Sequence, residues 1–484
     1  MEKLLTKKNI IIFVGLLTLW RIFLNATLAL HPDEAYYWLW SRFPALSYYD
    51  HPPMVAYFIK LTTLFSLGEF WVRFSGIAVS LVLSVLAWLL SKQFFDNRED
   101  LAAASVFALN VYPVTMTGSI IITPDAPAFL FWGFCVYLYW QVFRAGRPVY
   151  WYLSGLSLGL GLLSKYTVVL LVPLVILFML LTEERKWFKT VHPYLSGLLA
   201  LIVFAPVLLW NLGHEWISFK FQLGHGLGGQ AWKFSNLIEY TGGQLLVASP
   251  FVWLAGIPVL VVFLFKKKKE YLYISLTSLP IIIFFGYASL KKTSEANWPA
   301  LAYFSFTFAF TWLLYSGSKL KKILWSFSVI FCVILSLLAT VHARFGVIPL
   351  ERFSKDLAKT DATNWFYGYR ELGEEIKKYS GTSFVVTPSH QLSAEIIYYT
   401  GSAFPAGIDE KITRFSQFNY WNNLKDMEGK DGLYIYADGD ATGPYETYFG
   451  SMGGESRIEI SRKNFPIRTY HIVKAKALKP GFVK

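Results

Sequence analysis

Apolar runs of about twenty residues, each long enough to cross a bilayer, recur through the first 345 positions. They lie near 10–30, 70–91, 101–122, 125–143, 191–211, 244–265, 271–289, 298–316 and 323–343. A longer stretch, 150–182, is interrupted by "GLLSKYT" and predicts two short or broken helices. The pattern therefore predicts about eleven spans. From residue 346 it changes: charge rises, "DG" and "GG" turn signals appear, and short alternating stretches such as "SFVVT" and "GLYIYA" read as strands. At about 140 residues this tail is long enough for a small α/β domain with its own core. The expected architecture is an α-helical polytopic membrane domain, 1–345, followed by a soluble α/β domain, 346–484.

Composition agrees with a bilayer as solvent. The chain of 484 residues is 54% hydrophobic and 18% aromatic but only 16% charged, against roughly 25% charged in soluble domains. A net charge of +13 raises the question of nucleic acid, but the basic residues cluster in short loops between apolar runs, the signature of orientation in a membrane. Lys3, Lys7, Lys8, Lys92, Arg98, Arg144, Arg147, Arg185, Lys186, Lys189, Lys266 to Lys269, Lys319, Lys321 and Lys322 all fall on one side if the N-terminus is cytoplasmic. With an odd number of spans the tail lies on the other side, in the extracytoplasmic space. Bulky and charged residues, not small ones, follow the first apolar run, so it is expected to remain as the first helix. Cys135 and Cys332 lie inside apolar runs, and no structural disulfide is expected.

The unusual polar residues collect on the extracytoplasmic side. "LHPDEAYYWLWS" places Asp33 and Glu34 just beyond the first span; a carboxylate near membrane depth is costly unless paired or facing a wet cavity, which makes it a functional candidate. The bland alternative is a first-turn acid complementing a helix dipole. "SYYDHPPMVAYF" sets Asp50 and His51 before two backbone-fixing prolines, suited to a phosphate, a metal or a proton, or merely to a rigid loop. "TPDAPAFLFW" puts Asp125 at the start of a span, where an acid also satisfies free amides. Lys165 and Tyr166 sit in the interruption of 150–182; a lysine there either snorkels or neutralises a lipid phosphate. "LKKTSEANWPA" contributes Lys292, Glu295 and Asn297, and a glycine-rich loop contributes His214 and His225. No HExxH, Walker loop or paired CxxC occurs. A divalent metal held by Glu34, Asp50 and His225 stays open as a cofactor, without a ligand spacing that supports it.

In order along the chain, "HPDEAYYWLWS", "YYDHPP", "TPDAPAFLFW", "GLLSKYTVVLLVP" and "KTSEANWPAL" resemble the GT-C membrane glycosyltransferases, in the glycosyltransferase family 39 branch of protein mannosyltransferases and of enzymes that add sugars to lipid A or lipopolysaccharide core. The resemblance covers about the first 345 residues and implies a fold of about 11 to 13 transmembrane helices. It implies that Asp33 is the catalytic base with Glu34 beside it, that Asp125 is the second acid, and that Lys165 faces a lipid carrier. Asp50, His51, Tyr166, His225, Lys292, Glu295 and Asn297 complete the expected substrate-binding set. Aminoarabinose transferases of the family carry a lysine between an acid and a proline where this chain reads Asp50, His51, Pro52; a neutral imidazole is a weaker phosphate partner.

The implied donor is a polyprenyl-phosphate sugar and the implied acceptor a glycolipid of the envelope, with protein O-glycosylation as the rival within enzymes. The implied address is the inner membrane of a bacterium, with the tail periplasmic. A transporter or flippase is the alternative of another class, but transporters pair matching halves with broken helices at mid-membrane, and here the charges gather on one face. A scaffold whose tail binds a partner leaves the loop acids unexplained.

Overall fold

The computed structural model describes residues 5–229, 232–315, 318–379, 381–402, 406–408, 414–421, 424–440 and 447–480. The chain divides into two compact units, Met1–Asn25 with Ala45–Leu338, and Ala26–Pro44 with Ala339–Lys484. The second unit thus takes in residues 26–44, which the hydrophobic pattern groups with the spans.

The first unit is a helical bundle. Among the described residues six helices are long and apolar enough to cross a membrane: Lys7–Thr27, Glu69–Phe94, Asp125–Ala145, His192–Leu212, Lys269–Ser289 and Lys319–Phe345. Two sharply bent pairs, Tyr166–Leu181 with Glu183–Lys189 and Phe234–Ala248 with Pro250–Leu264, bring the number to eight if each is one span. The remaining apolar runs fold into shorter helices. The run 101–122 splits into Glu99–Val111 and Pro113–Thr117, because Pro113 has no N–H to continue the ladder and disfavours helical backbone before it. The run 298–316 yields only Ala302–Tyr315, preceded by turns. As the pattern predicts, 150–182 is broken, into Val149–Leu162, a 3-10 turn Tyr166–Leu170 and Leu171–Leu181.

Close packing in the bundle depends on small residues. Helices Val149–Leu162 and His192–Leu212 meet at Gly155 and Gly159: a Cβ at the first would lie 2.3 Å from the Ser196 carbonyl oxygen, and one at the second 2.6 Å from Val203 Cβ. This is the small-xxx-small spacing that lets membrane helices approach backbone to backbone. Polar ties also cross the bundle. Arg21, fully buried in the first helix, donates to Ser80 Oγ at 3.0 Å and Asn110 Oδ1 at 3.1 Å. Cys135 and Cys332 are buried free thiols.

The second unit contains a five-stranded sheet of order β2-β1-β3-β5-β4, with β1 Val385–Thr387, β2 Ala406–Ile408, β3 Gly432–Ala437, β4 Phe449–Arg462 and β5 Phe465–Leu478. β1 runs parallel to β2 and β3, while β5 is antiparallel to β3 and β4. Parallel pairing of β1 with β2 requires a crossover, supplied by helix His390–Tyr399. The β4–β5 hairpin turns at Lys463 and Asn464, both with positive φ, as a tight turn with the twist of its strands demands. His471 on β5 bridges Asp438 and Glu455, each at 2.7 Å. Burial opposes its charged form, but those two carboxylates outweigh burial and raise its pKa.

Helix Pro32–Arg42 belongs to this unit and packs on helix His390–Tyr399. Its aromatic run is what it buries. Tyr36 stacks on Phe418 with ring centroids 6.1 Å apart and meets His390 edge-on at 4.6 Å. Trp38 meets Tyr398 edge-on at 4.8 Å. The Gln417 N–H donates to the Tyr36 hydroxyl, and Tyr399 accepts from the Leu30 N–H, both at 2.8 Å. Such aromatic pairs add roughly 0.5–1.5 kcal/mol each beyond the area they bury.

Candidate active site

Two clusters hold the residues singled out from the sequence, one in each compact unit.

In the first unit, Asp125 is the first residue of helix Asp125–Ala145. Lys165 Nζ donates to Asp125 Oδ1 at 2.6 Å, and Asn297 Nδ2 donates to Oδ2 at 2.7 Å. Three separate sequence stretches thus converge on one carboxylate. Lys165 reaches it because the backbone there is extended, φ −156° and ψ 132°, between helix Val149–Leu162 and the 3-10 turn. A lysine within a continuous helix would instead be committed to that helix's face. Side chains at 11% and 20% exposure keep the Lys165–Asp125 pair largely from water, so it is worth more than a surface ion pair. The pair places a cation and a carboxylate at a break in an apolar segment. There the ammonium can turn toward a phosphate and the carboxylate can hold it in reserve.

Tyr166, next to Lys165, shares a 2.9 Å hydrogen bond with Ser218 Oγ. Asp50 is buried, and its carbonyl accepts from Gln222 Nε2, which also lies 3.4 Å from His51 Nδ1. The Met54 N–H donates to the Leu163 carbonyl at 2.9 Å, tying the proline-fixed loop to the end of the helix before Lys165. Lys292 Nζ donates to the Gly224 carbonyl at 3.3 Å. His225 stacks on Phe221 and meets Trp298 edge-on. His214 stacks on Trp210, and Glu295 is exposed.

In the second unit, Pro32–Arg42 opens with a capping box. The Asp33 N–H donates to His31 Nδ1 at 3.3 Å, and Glu34 Oε2 accepts from the His31 N–H at 2.8 Å. Such a box satisfies two of the free donors of a helix start. Asp33 and Glu34 are therefore unlike neighbours. Glu34 is fully buried and engaged in the cap, whereas the Asp33 side chain is 38% exposed. His31 Nδ1 lies 3.8 Å from Asp33 Oδ2, but that nitrogen already accepts a backbone N–H, so its lone pair and not a proton faces the acid. Asp33 Oδ1 accepts from Gln391 Nε2 at 3.1 Å. Beside Gln391, burial and the nearby Arg414 guanidinium push His390 down to about 3, and its imidazole stays neutral.

Known proteins share both the sequence pattern and the fold. The model of the dolichyl-phosphate-mannose-protein mannosyltransferase family matches residues 50–210. The lipid A galacturonosyltransferase RgtD of Rhizobium johnstonii is 24% identical over 440 residues, 84% of this chain and 86% of that protein. An undecaprenyl phosphate-alpha-4-amino-4-deoxy-L-arabinose arabinosyl transferase of Pseudomonas paraeruginosa is 26% identical over 196 residues, 39% of this chain and 35% of its own length. The crystal structure of ArnT from Cupriavidus metallidurans bound to undecaprenyl phosphate superposes with a TM-score of 0.66, covering 96% of this chain and 97% of that one at 13% identity. The chain has the fold of the GT-C membrane glycosyltransferases.

Glu34, expected beside the base as a catalytic group, is held in the cap of its helix, a structural task that the sequence spacing itself encodes. Among the described residues no group of three or more His, Cys, Asp or Glu side chains is placed to hold a metal ion. Sequence reasoning missed Gln222 and Gln391. Neither carries a local signal, since each acts on a residue more than a hundred positions away.

Proposed function

We propose that this glycosyltransferase moves a sugar from a polyprenyl-phosphate donor to lipid A or a related lipopolysaccharide acceptor, on the periplasmic face of the bacterial inner membrane, with inversion at the anomeric carbon. The observation that carries this reading is the pair of donors, Lys165 and Asn297, converging on Asp125 at a break between apolar helices. It supports capture of a phosphate whose lipid tail stays in the bilayer.

Asp33 takes the proton of an acceptor hydroxyl, or orients an acceptor phosphate, as the acceptor oxygen attacks the anomeric carbon. The new glycosidic bond forms as the bond from that carbon to the donor phosphate oxygen breaks, and polyprenyl phosphate leaves with the bonding electrons. Lys165 neutralises the charge gathering on the departing phosphate, an interaction stronger in the transition state than in the ground state and therefore one that accelerates the step.

The test is mass spectrometry of lipid A, core oligosaccharide and envelope proteins from cells with and without the gene. A sugar-sized mass lost from lipid A or core on deletion is expected; a mass lost only from proteins would transfer the reading to protein glycosylation. Asp33→Asn should give the deletion phenotype while the protein still inserts at normal levels, since loss of a general base costs roughly 10²–10⁴-fold. A fully active Asp33→Asn enzyme would remove the carboxylate from the mechanism.

A further inference from the structure

Asp33 is partly exposed at the first turn of its helix, and a side chain there has rotamers to choose from. One contact restricts it: Gln391 Nε2 donates to Oδ1 at 3.1 Å. An ionised carboxylate has no proton to give, so the amide nitrogen and not its oxygen must face it. With Oδ1 already accepting that hydrogen bond, Oδ2 is the more available oxygen for a proton.

Gln391 is itself held firmly. It lies on the first turn of helix His390–Tyr399, directly beyond the carboxyl end of β1, the end of a parallel strand where α/β sheets gather ligands. Ser389 caps that helix, accepting from the Leu392 N–H at 3.1 Å. Thr387 Oγ1 at the end of β1 lies 2.9 Å from Ser393 Oγ, and Ser393 Oγ donates to the Gly407 carbonyl of β2 at 2.7 Å. Two strands therefore lock the turn that carries Gln391. The tight packing of helices Pro32–Arg42 and His390–Tyr399 fixes its partner.

We propose that Gln391 is a positioning residue for the Asp33 carboxylate, so that the C-terminal part of the chain is needed to present the base. The proposal rests on Asp33 being the base. A helix that packs only for stability has no need of a side-chain amide aimed at a half-exposed acid. A positioning amide must be a donor, of this length, on an element anchored independently of the acid's own helix.

The experiment uses the full-length enzyme in nanodiscs, with lipid-extracted native polyprenyl-phosphate sugars as donor, purified lipid A as acceptor and mass shift as readout. Gln391→Ala is expected to lower kcat roughly tenfold, the loss of one charge-assisted hydrogen bond, with KM for donor and acceptor unchanged. Gln391→Glu keeps size and shape but sets a second carboxylate against the first, and is expected to fall further than Gln391→Ala. A merely structural role predicts the reverse order, because the isosteric glutamate preserves packing and alanine does not. Unchanged kcat in both variants, or a glutamate variant more active than the alanine one, overturns the proposal. Asp33→Asn run alongside separates the two readings: if it is inactive while both Gln391 variants are normal, only the positioning role falls; if it is active, both fall.

Discussion

In the proposed mechanism Lys165 serves both architecture and chemistry. Its ammonium and the Asp125 carboxylate are each mostly withdrawn from water, so deleting one leaves the other poorly solvated. Lys165→Ala should therefore raise KM for the lipid donor about tenfold or more and also destabilise the protein by roughly 1–3 kcal/mol, the cost of a buried polar group left unmatched. Measuring melting temperature and donor KM together for Lys165→Ala, Asp125→Ala and the double variant separates the effects. The double variant should recover stability without recovering donor affinity. Recovery of both would confine the pair to a structural role. At this scale the sequence singled out the residues that meet: Asp125 at the start of a span, Lys165 in an interrupted apolar stretch and Asn297 in a polar turn between spans, although nothing in their spacing said that they touch. Arg21 and Gln391 did not stand out. Arg21 lies within an otherwise apolar run whose end it could have marked as easily as its interior, and Gln391 lies in a polar segment where one amide is like another.

Elements were most legible where a pattern has a single physical reading. Long apolar runs became helices, the "GLLSKYT" interruption became a break, and His31 to Glu34 spell a helix start. The number of full-length spans was less legible, since an apolar run records burial and not whether the backbone stays helical across it; Pro113 and the turns before Ala302 cut two such runs short. The junction of Val149–Leu162 with His192–Leu212 offers a direct check on packing. Gly159→Leu should cost roughly 1–3 kcal/mol through overpacking, read as a lower melting temperature in detergent, because its new atoms meet Val203 and Ala200 at under 3 Å. Gly197→Leu, where a Cβ meets nothing within 4 Å, is the matched control and should melt like the parent. Equal melting of the two variants would show that the glycine contact does not hold the helices together.

For the molecule as a whole, the distribution of lysine and arginine predicts a cytoplasmic N-terminus and a periplasmic tail. Because both native cysteines are buried, introduced ones report without background. A membrane-impermeant maleimide applied to intact spheroplasts should label Lys476→Cys, exposed on β5, and spare Lys267→Cys, exposed in the lysine-rich loop; the opposite result would invert the topology. What the linear pattern could not convey is that the helix after the first span folds with the end of the chain. That pairing has a consequence in time. Residues 26–44 leave the ribosome well ahead of their partners: those of Asp33, Tyr36 and Trp38 lie some 350 positions later, at Gln391, Phe418 and Tyr398. At synthesis rates of about 5–20 residues per second, an unpartnered aromatic helix waits on the order of half a minute for them. A chain that stops before Gln391 leaves the Asp33 carboxylate without that partner, and the acid takes up its place only once this later segment has been made.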